Sequence, residues 1–341
     1  MPPLVSILIP CRNEREHIHA CLKSILKSDF PLSDLEVLVM DGMSEDGSRA
    51  IIEQYTKVHP EIRLLENPKR TTPAALNIGI SEARGAIIVR MDAHAQYPPN
   101  YLAELVSWLE RTGADNVGGA CVTLPGDSSA TAQAIAVALA HPFGIGNAHF
   151  RLGTAKPREV DTVPFGCFRR EVFQRVGLFD EDLVRNQDDE FNFRLLKAGG
   201  HVLLVPGVVS FYYARRSLRQ LARMFFQYGY FKPLVVRKVR GVMTARQLAP
   251  AMLVSTLLVT AFLGPWFGAG RLVFGLTAAG YASADLAVAA TIARRSGVRV
   301  GLKASAVFPA LHFAYGLGYL LGVFEFLIRD KRPAAAVRLS R

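Results

Sequence analysis

Cysteine is scarce in this chain, four in 341 residues. Cys11, Cys21, Cys121 and Cys167 form no C-x-x-C pair, so neither a zinc site nor a disulfide framework is indicated, and reduced thiols fit the cytosol. Acids are also short: 29 Asp and Glu stand against 40 Lys and Arg, a formal net charge of +11. No nucleic-acid-binding motif accompanies that charge, so nucleic acid is not expected as a partner; anionic lipid headgroups and a phosphorylated ligand account for it better. The opening Met1-Pro2-Pro3 runs straight into a short apolar stretch without a basic region, so no secretory signal is expected. The N-terminal part is accordingly expected to face the cytoplasm. No internal repeat is apparent.

What the chain has in excess is apolar residues, 50% of the total, unevenly spread. Three stretches, 251–267, 272–293 and 304–328, approach the ~20 residues that cross a bilayer. A buried helical subdomain is the competing reading, kept open by Pro265, Asp285, His312 and Glu325. Flanking charge favours the membrane. Nine basic residues from Arg215 to Arg246 precede the first stretch, the turn near Gly268–Arg271 is nearly uncharged, and Arg294, Arg295, Arg299 and Lys303 follow the second stretch. Since cytoplasmic loops carry the Lys and Arg excess, the first two stretches read as a hairpin of two spans. A third full span would export a tail with Arg329, Lys331, Arg332, Arg338 and Arg341, so that stretch is expected to be interfacial or re-entrant.

The first 120 residues alternate strand and helix. Val5–Ile9 is an apolar run ending in Pro10-Cys11-Arg12-Asn13-Glu14; Leu35–Met40 ends in Asp41-Gly42; Ala86–Met91 ends in Asp92-Ala93-His94. Between them, helical spacing of Ile18, Cys21, Leu22, Ile25 and Leu26, a polar cap at Ser44–Gly47 and Thr72-Pro73 before Leu76, Gly79, Ile80 and Ala83 predict helices, with a further strand over 62–65. This order implies an α/β fold with a mostly parallel sheet and right-handed crossovers. Ligands of such sheets bind beyond the carboxyl ends of the strands, so the three polar tips should face one pocket. Pro98-Pro99 starts another helix with Tyr101, Leu102, Leu105, Val106 and Leu109 on one face. Between Leu124 and Val160 the pattern loosens, and a small helix with a mobile loop is expected there.

Asp92 and His94 stand at i and i+2, on one side of an extended chain, where they could hold a divalent ion that bridges diphosphate oxygens. A surface turn with a solvated imidazole is the plainer alternative. Asp41 at its strand tip is a candidate acceptor for a base N–H, while Asp46 suits a helix cap. Asp188, Asp189 and Glu190 open a helical stripe that contains Phe191, Leu195 and Leu196. Acids there ordinarily complement the helix dipole, yet crowded like charges also raise a carboxylate toward the range of a general base. The nearby Phe165-Gly166-Cys167-Phe168 could form a tight wall against a substrate. Leu218, Leu221, Ala222, Phe225 and Phe226, interleaved with Arg219 and Arg223, read as an interfacial amphipathic helix that could present a lipid diphosphate.

With these residues in place, the chain resembles family 2 glycosyltransferases of the GT-A fold over residues 3–235. The resemblance is carried by Pro10–Glu14, Asp41–Ser48, Leu76–Gly79, Asp92–His94, Gly166–Arg170 and the Asp188 cluster in this order. Within the family it looks most like the membrane-associated glucosyltransferases of succinoglycan-type exopolysaccharide assembly. The resemblance implies a catalytic domain over 1–235 and a membrane-associated helical region over 236–341. It implies an inverting transfer of a sugar, glucose by this likeness, from a UDP-sugar to a hydroxyl of a lipid-linked or glycan acceptor, with polysaccharide assembly proteins as possible partners. Pro10, Asn13, Glu14, Asp41, Asp92 and Arg169 would contact the donor, and Asp92 with His94 would hold Mn²⁺ or Mg²⁺. His94 departs from the family's second metal aspartate, which leaves the identity of the metal open. The family's Glu-Asp pair maps onto Gln187-Asp188, making Asp188 the expected base and Asp189 its competitor.

Processive synthases of the family carry Gln-x-x-Arg-Trp, whereas the nearest segment here is Gln227-Tyr228-Gly229-Tyr230-Phe231. Transfer of one sugar per encounter is therefore expected. A polyprenyl-phosphate sugar transferase and a noncatalytic nucleotide-sugar-binding scaffold are the competing expectations.

Overall fold

A computed structural model describes residues 3–241 and 244–331; Arg332, Arg338 and Arg341, expected in a basic tail, lie outside the described residues. Among the described residues nine strands form one mixed sheet: β1 Val5–Cys11, β2 Leu35–Asp41, β3 Ile62–Glu66, β4 Ile87–Arg90, β5 Ala95–Gln96, β6 Asn116–Leu124, β7 Arg158–Glu159, β8 Cys167–Arg169 and β9 Val202–Tyr213. Their order is β3-β2-β1-β4-β8-β6-β9-β5, with β7 on β9. The expected parallel pairing holds for one half only. β3, β2, β1 and β4 are parallel, while β8 runs antiparallel to both β4 and β6, and β9 antiparallel to β5 and β7.

The parallel half follows from its residues. β1 and β2 are buried almost throughout, as strands covered on both faces must be, and their near-continuous apolar runs supply that surface. Helices Ile18–Leu26, Ser48–Val58 and Thr72–Glu82 make the crossovers, close to the ranges that periodicity indicates. The antiparallel half is less legible because β8 has three residues and β5 two, too short for a pattern.

The chain divides into two compact units. One comprises residues up to Val122 together with His149–Tyr212, and the other comprises Thr123–Ala148 and the residues from Tyr213 onward. The boundary expected at 235 thus falls inside the helix Leu218–Val239. In the first unit, two layers of apolar side chains line the sheet, one around Val5, Ile7, Ile9 and Leu105, the other around Leu8, Leu38, Met40 and Phe191.

The second unit is helical. The segment expected as one small helix and a mobile loop contains Ala130–Ala138 and Pro142–Ile145, with a further turn His149–Leu152 in the first unit. Among the described residues three longer helices follow Leu218–Val239. Ala249–Leu263 has 15 residues, about 22 Å at 1.5 Å per residue, short of a ~30 Å hydrocarbon core, so the first apolar stretch does not make the expected full span. Gly268–Ser296 and Val298–Ile328 are long and apolar enough to cross a membrane by length and composition. Their surroundings differ: the most apolar window of the former is 11% buried, that of the latter 39%.

The stripe expected to be interfacial is instead partly a packing face. Leu221 and Met224 of Leu218–Val239 enter the same cluster as Val307, Phe308 and Leu311. Further along, Gly318 lets the two helices approach until a Cβ there would lie 2.2 Å from the Phe226 carbonyl oxygen, a closeness only glycine tolerates. Phe225 and Phe226 stay half-buried.

Candidate functional site

The sheet order β2-β1-β4 places the three polar tips side by side, as expected from their sequence. The first two are tied together by hydrogen bonds. Asn13, in the left-handed region with φ 54°, donates its backbone N–H to Ser44 Oγ at 2.9 Å and accepts from the Glu45 N–H through Oδ1 at 2.9 Å. Glu14 N–H donates to Ser48 Oγ at 2.7 Å, and Arg15 N–H to Asp46 Oδ2 at 3.0 Å. Asp46 also accepts from the Ser48 N–H at 2.9 Å, a turn just ahead of the helix, whose N-cap position is Gly47 rather than Asp46. Asp41 is fully buried; its carboxylate accepts the Ser44 hydroxyl at 2.5 Å and lies 3.8 Å from the Arg49 guanidinium. It braces the loop that follows β2 and does not open to solvent. Pro10 is half-buried one residue before the end of β1.

At the third tip, the extended chain expected through Asp92-Ala93-His94 is a turn, closed by the Ala95 N–H donating to the Asp92 carbonyl at 3.2 Å. The two candidate ligands consequently meet different neighbours. His94 Nδ1 lies 3.2 Å from Glu14 Oε1 and its ring packs edge-on against Tyr212, with centroids 5.3 Å apart. The Asp92 carboxylate receives Arg90 Nε–H and Nη2–H on Oδ1, both at 3.1 Å, while its backbone N–H donates to Tyr97 Oη at 2.8 Å. Among the described residues no group of three or more His, Cys, Asp and Glu side chains is placed to hold a metal ion.

The helix Gln187–Lys197 sorts its three acids into separate tasks. Glu190 is buried and accepts Arg194 Nε–H at 2.5 Å and Nη2–H at 2.9 Å, an intrahelical pair. Asp189 stays half-exposed in the first turn. Asp188 pairs with Arg90 Nη1 and receives the Gln187 amide at 3.4 Å, while its side chain keeps 32% of its surface exposed. Burial pushes the Asp188 carboxyl above the usual carboxylate range; the Arg90 guanidinium opposes that rise without cancelling it, and Asp92 and Asp189 add to it. Burial works against the charge on Arg90, but Asp188 and Asp92 more than offset it and hold the guanidinium firmly protonated.

Arg90 was not among the expected site residues, although one signal pointed to it. It is the single charge inside the apolar run Ala86–Met91, and a charge buried in a strand requires partners. Two other expectations fail. Arg169 is opposite Ile87, at the end of β4 remote from its tip, because β8 runs antiparallel; it donates to the Leu109 carbonyl at 3.2 Å and so caps the end of helix Tyr101–Thr112. Phe165, Cys167 and Phe168 are core residues, not a wall against substrate, and the space left by Gly166 is filled by the Asn116 side chain, 2.4 Å from where a Cβ would stand.

The family model described as glycosyl transferase family 2 matches residues 6–177. Among curated proteins, the succinoglycan biosynthesis protein ExoA of Rhizobium meliloti (strain 1021) is 34% identical over 246 residues, covering 72% of this chain and 73% of the relative. A dolichyl N-acetyl-α-D-glucosaminyl phosphate 3-β-D-2,3-diacetamido-2,3-dideoxy-β-D-glucuronosyltransferase of Methanococcus voltae is 29% identical, covering 69% of this chain and 74% of the relative. Among solved structures, a mannosyltransferase of Pyrobaculum calidifontis in complex with GDP-Man and Mn²⁺ shares the fold with a TM-score of 0.59 at 22% identity, covering 94% of this chain and 88% of that one.

Proposed function

This chain belongs to glycosyl transferase family 2, with the GT-A fold, and from that premise we propose that it transfers a sugar from a UDP-sugar, glucose being the first candidate, to a hydroxyl of a lipid-linked or glycan acceptor with inversion. The observation that carries the reading is the meeting of Asp92 and Asp188 on one guanidinium: the tip that would bind the donor and the helix that would receive the acceptor share Arg90. In the step, the acceptor oxygen attacks the anomeric carbon, the bond from that carbon to the diphosphate breaks with its electron pair leaving on the diphosphate, and the acceptor proton passes to Asp188. The raised carboxyl of Asp188 suits a base that must hold a proton for part of the cycle. Asp189 is the alternative base, supported by its place in the same helical turn. The two loops tied together through Asn13 would bracket the nucleotide, with buried Asp41 bracing the second of them.

A divalent cation fits the chemistry of the donor set. Asp92 offers a carboxylate and His94 an imidazole with the Glu14 carboxylate 3.2 Å from its Nδ1, the kind of partner that orients a ligating histidine. Bound there, Mn²⁺ or Mg²⁺ would supply positive charge to the departing diphosphate. The Mn²⁺ complex of the Pyrobaculum mannosyltransferase supports this by likeness. The Methanococcus relative, named for adding a sugar to a dolichyl-phosphate-linked one, supports a lipid-linked acceptor.

Membrane attachment rests on the helical region. Leu272, Val273, Phe274 and Leu276 are exposed on Gly268–Ser296, and Leu258, Val259, Phe262 and Trp266 on the segment before it. This hairpin would insert into the bilayer, with Arg294, Arg295, Arg299 and Lys303 set against anionic headgroups on the cytoplasmic side. The test is a screen of the purified protein against UDP-glucose, UDP-N-acetylglucosamine and GDP-mannose, scoring released nucleoside diphosphate with and without membrane lipid extract. Release that depends on Mn²⁺ or Mg²⁺ and disappears in Asp92→Ala is expected. Undiminished release by Asp92→Ala would remove Asp92 from the reaction, and binding of a donor without any turnover would replace the enzyme by a nucleotide-sugar-binding scaffold.

A further inference from the structure

The interior of the sheet contains one arginine whose three donor atoms are divided between two elements. Arg90 sits in β4 with its backbone N–H given to the Gly166 carbonyl at 3.0 Å, so its Cα is fixed by the sheet. From there Nε and Nη2 reach Asp92 and Nη1 reaches Asp188, two carboxylates that are ninety-six positions apart in the chain and belong to different elements. We propose that Arg90 is a positioning residue that sets the spacing and angle between the donor-binding tip and the acceptor-activating helix. The inference rests on the reading of Asp92 and Asp188 given above.

The geometry argues for positioning rather than for charge balance alone. A lone positive charge would neutralise either carboxylate from many directions, and a lysine would serve. The planar guanidinium instead directs one edge to Asp92 and another nitrogen to Asp188, and its rigid fork converts the placement of one carboxylate into the placement of the other. Asp188 stands in the first turn of its helix, where a small rotation would swing the carboxylate away from an attacking hydroxyl. In reactions that depend on alignment, a displacement of about 1 Å costs on the order of a hundredfold. Asp92, at the start of a turn rather than within a strand, likewise lacks the ladder that fixes Arg90.

Arg90→Lys keeps the charge and loses the fork. Using whichever of the three donors the wild type turns over, with membrane lipid extract as the acceptor source, Arg90→Lys is expected to lower kcat about a hundredfold. The melting temperature should stay within a few degrees and the donor KM within about threefold, the pattern of lost alignment rather than lost binding. Combined with Asp188→Asn, the lysine variant should add little further loss, because both changes act through the same carboxylate. Wild-type kcat in Arg90→Lys, or full additivity with Asp188→Asn, would overturn the proposal while leaving the enzyme reading intact; undiminished turnover by Asp188→Asn alone would instead remove the base on which that reading depends. If Arg90→Lys fails to fold, Asp188→Glu tests the same coupling with the arginine in place: at least a tenfold loss of kcat is expected, and wild-type kcat would contradict it.

Discussion

The two units of this chain use apolar residues in opposite ways. In the first, Leu38, Val39, Ile7 and Ile9 are wholly buried between helices, and the polar side chains gather at strand tips where hydrogen bonds tie one loop to the next. In the second, Gly268–Ser296 turns Leu272, Val273, Phe274, Leu276 and Leu286 outward and keeps Asp285 inside. The first unit is arranged for water around it, whereas the second has an outer surface that water solvates poorly. Exposed apolar patches of this extent mark a contact with membrane or partner, and the basic residues bordering the hairpin favour membrane.

That contrast can be broken most sharply at the site. Asp188→Asn removes the base and leaves a side chain of the same shape, so turnover should fall by about 10²–10⁴-fold with donor binding kept, measured as nucleoside diphosphate released against a titration of donor affinity. Persistence of turnover would point to an acceptor oxygen already ionised, as in a polyprenyl phosphate, which needs no base.

A paired substitution sharpens the difference between the interiors. Leu38→Ala, in the sheet core, should cost about 2–5 kcal/mol of stability by denaturant unfolding, the range for a buried leucine that leaves a cavity. Leu276→Ala, on the exposed face of its helix, should lie within about 0.5 kcal/mol of wild type in detergent. Equal costs at the two positions would mean that the hairpin is packed against something the chain itself supplies.

The smallest expected effect is on pH dependence. Because the Asp188 carboxyl is raised, its base form is lost as pH falls through a value above the ordinary ~3.9 of an aspartate. The acidic limb of kcat/KM should therefore lie higher than for an unperturbed carboxylate, and Asp188→Asn should abolish that limb in any residual activity. A limb at the ordinary value would mean that a carboxylate other than Asp188 takes the proton.

Local periodicity and end signals were enough for the parallel half of the sheet. Val5–Ile9, Leu35–Met40 and the helical stripes between them are continuous apolar patterns, and each must bury its face on the next, so strand, helix and tip follow within a residue or two. The same logic brought Asn13, Glu14, Asp41, Asp92 and His94 to one edge, because parallel strands end on the same side. Arg169, expected from the family resemblance to contact the donor, lies away from that edge because β8 runs antiparallel to β4. The direction of a three-residue strand depends on partners far along the chain, and no pattern within three residues records them.

The helical region shows the same division. Composition alone marked out three apolar stretches, since a run of apolar residues states its preference for a nonaqueous surrounding irrespective of partners. Which of them would be sheathed by protein depended on Gly318 and Phe226 meeting across ninety-two residues of chain. Arg90 belongs to that second kind of fact. Its presence in an apolar strand announced a need for partners, and only the folded chain identified them as Asp92 and Asp188, because side chains separated so far in sequence are brought together by the path of the backbone and not by any local rule.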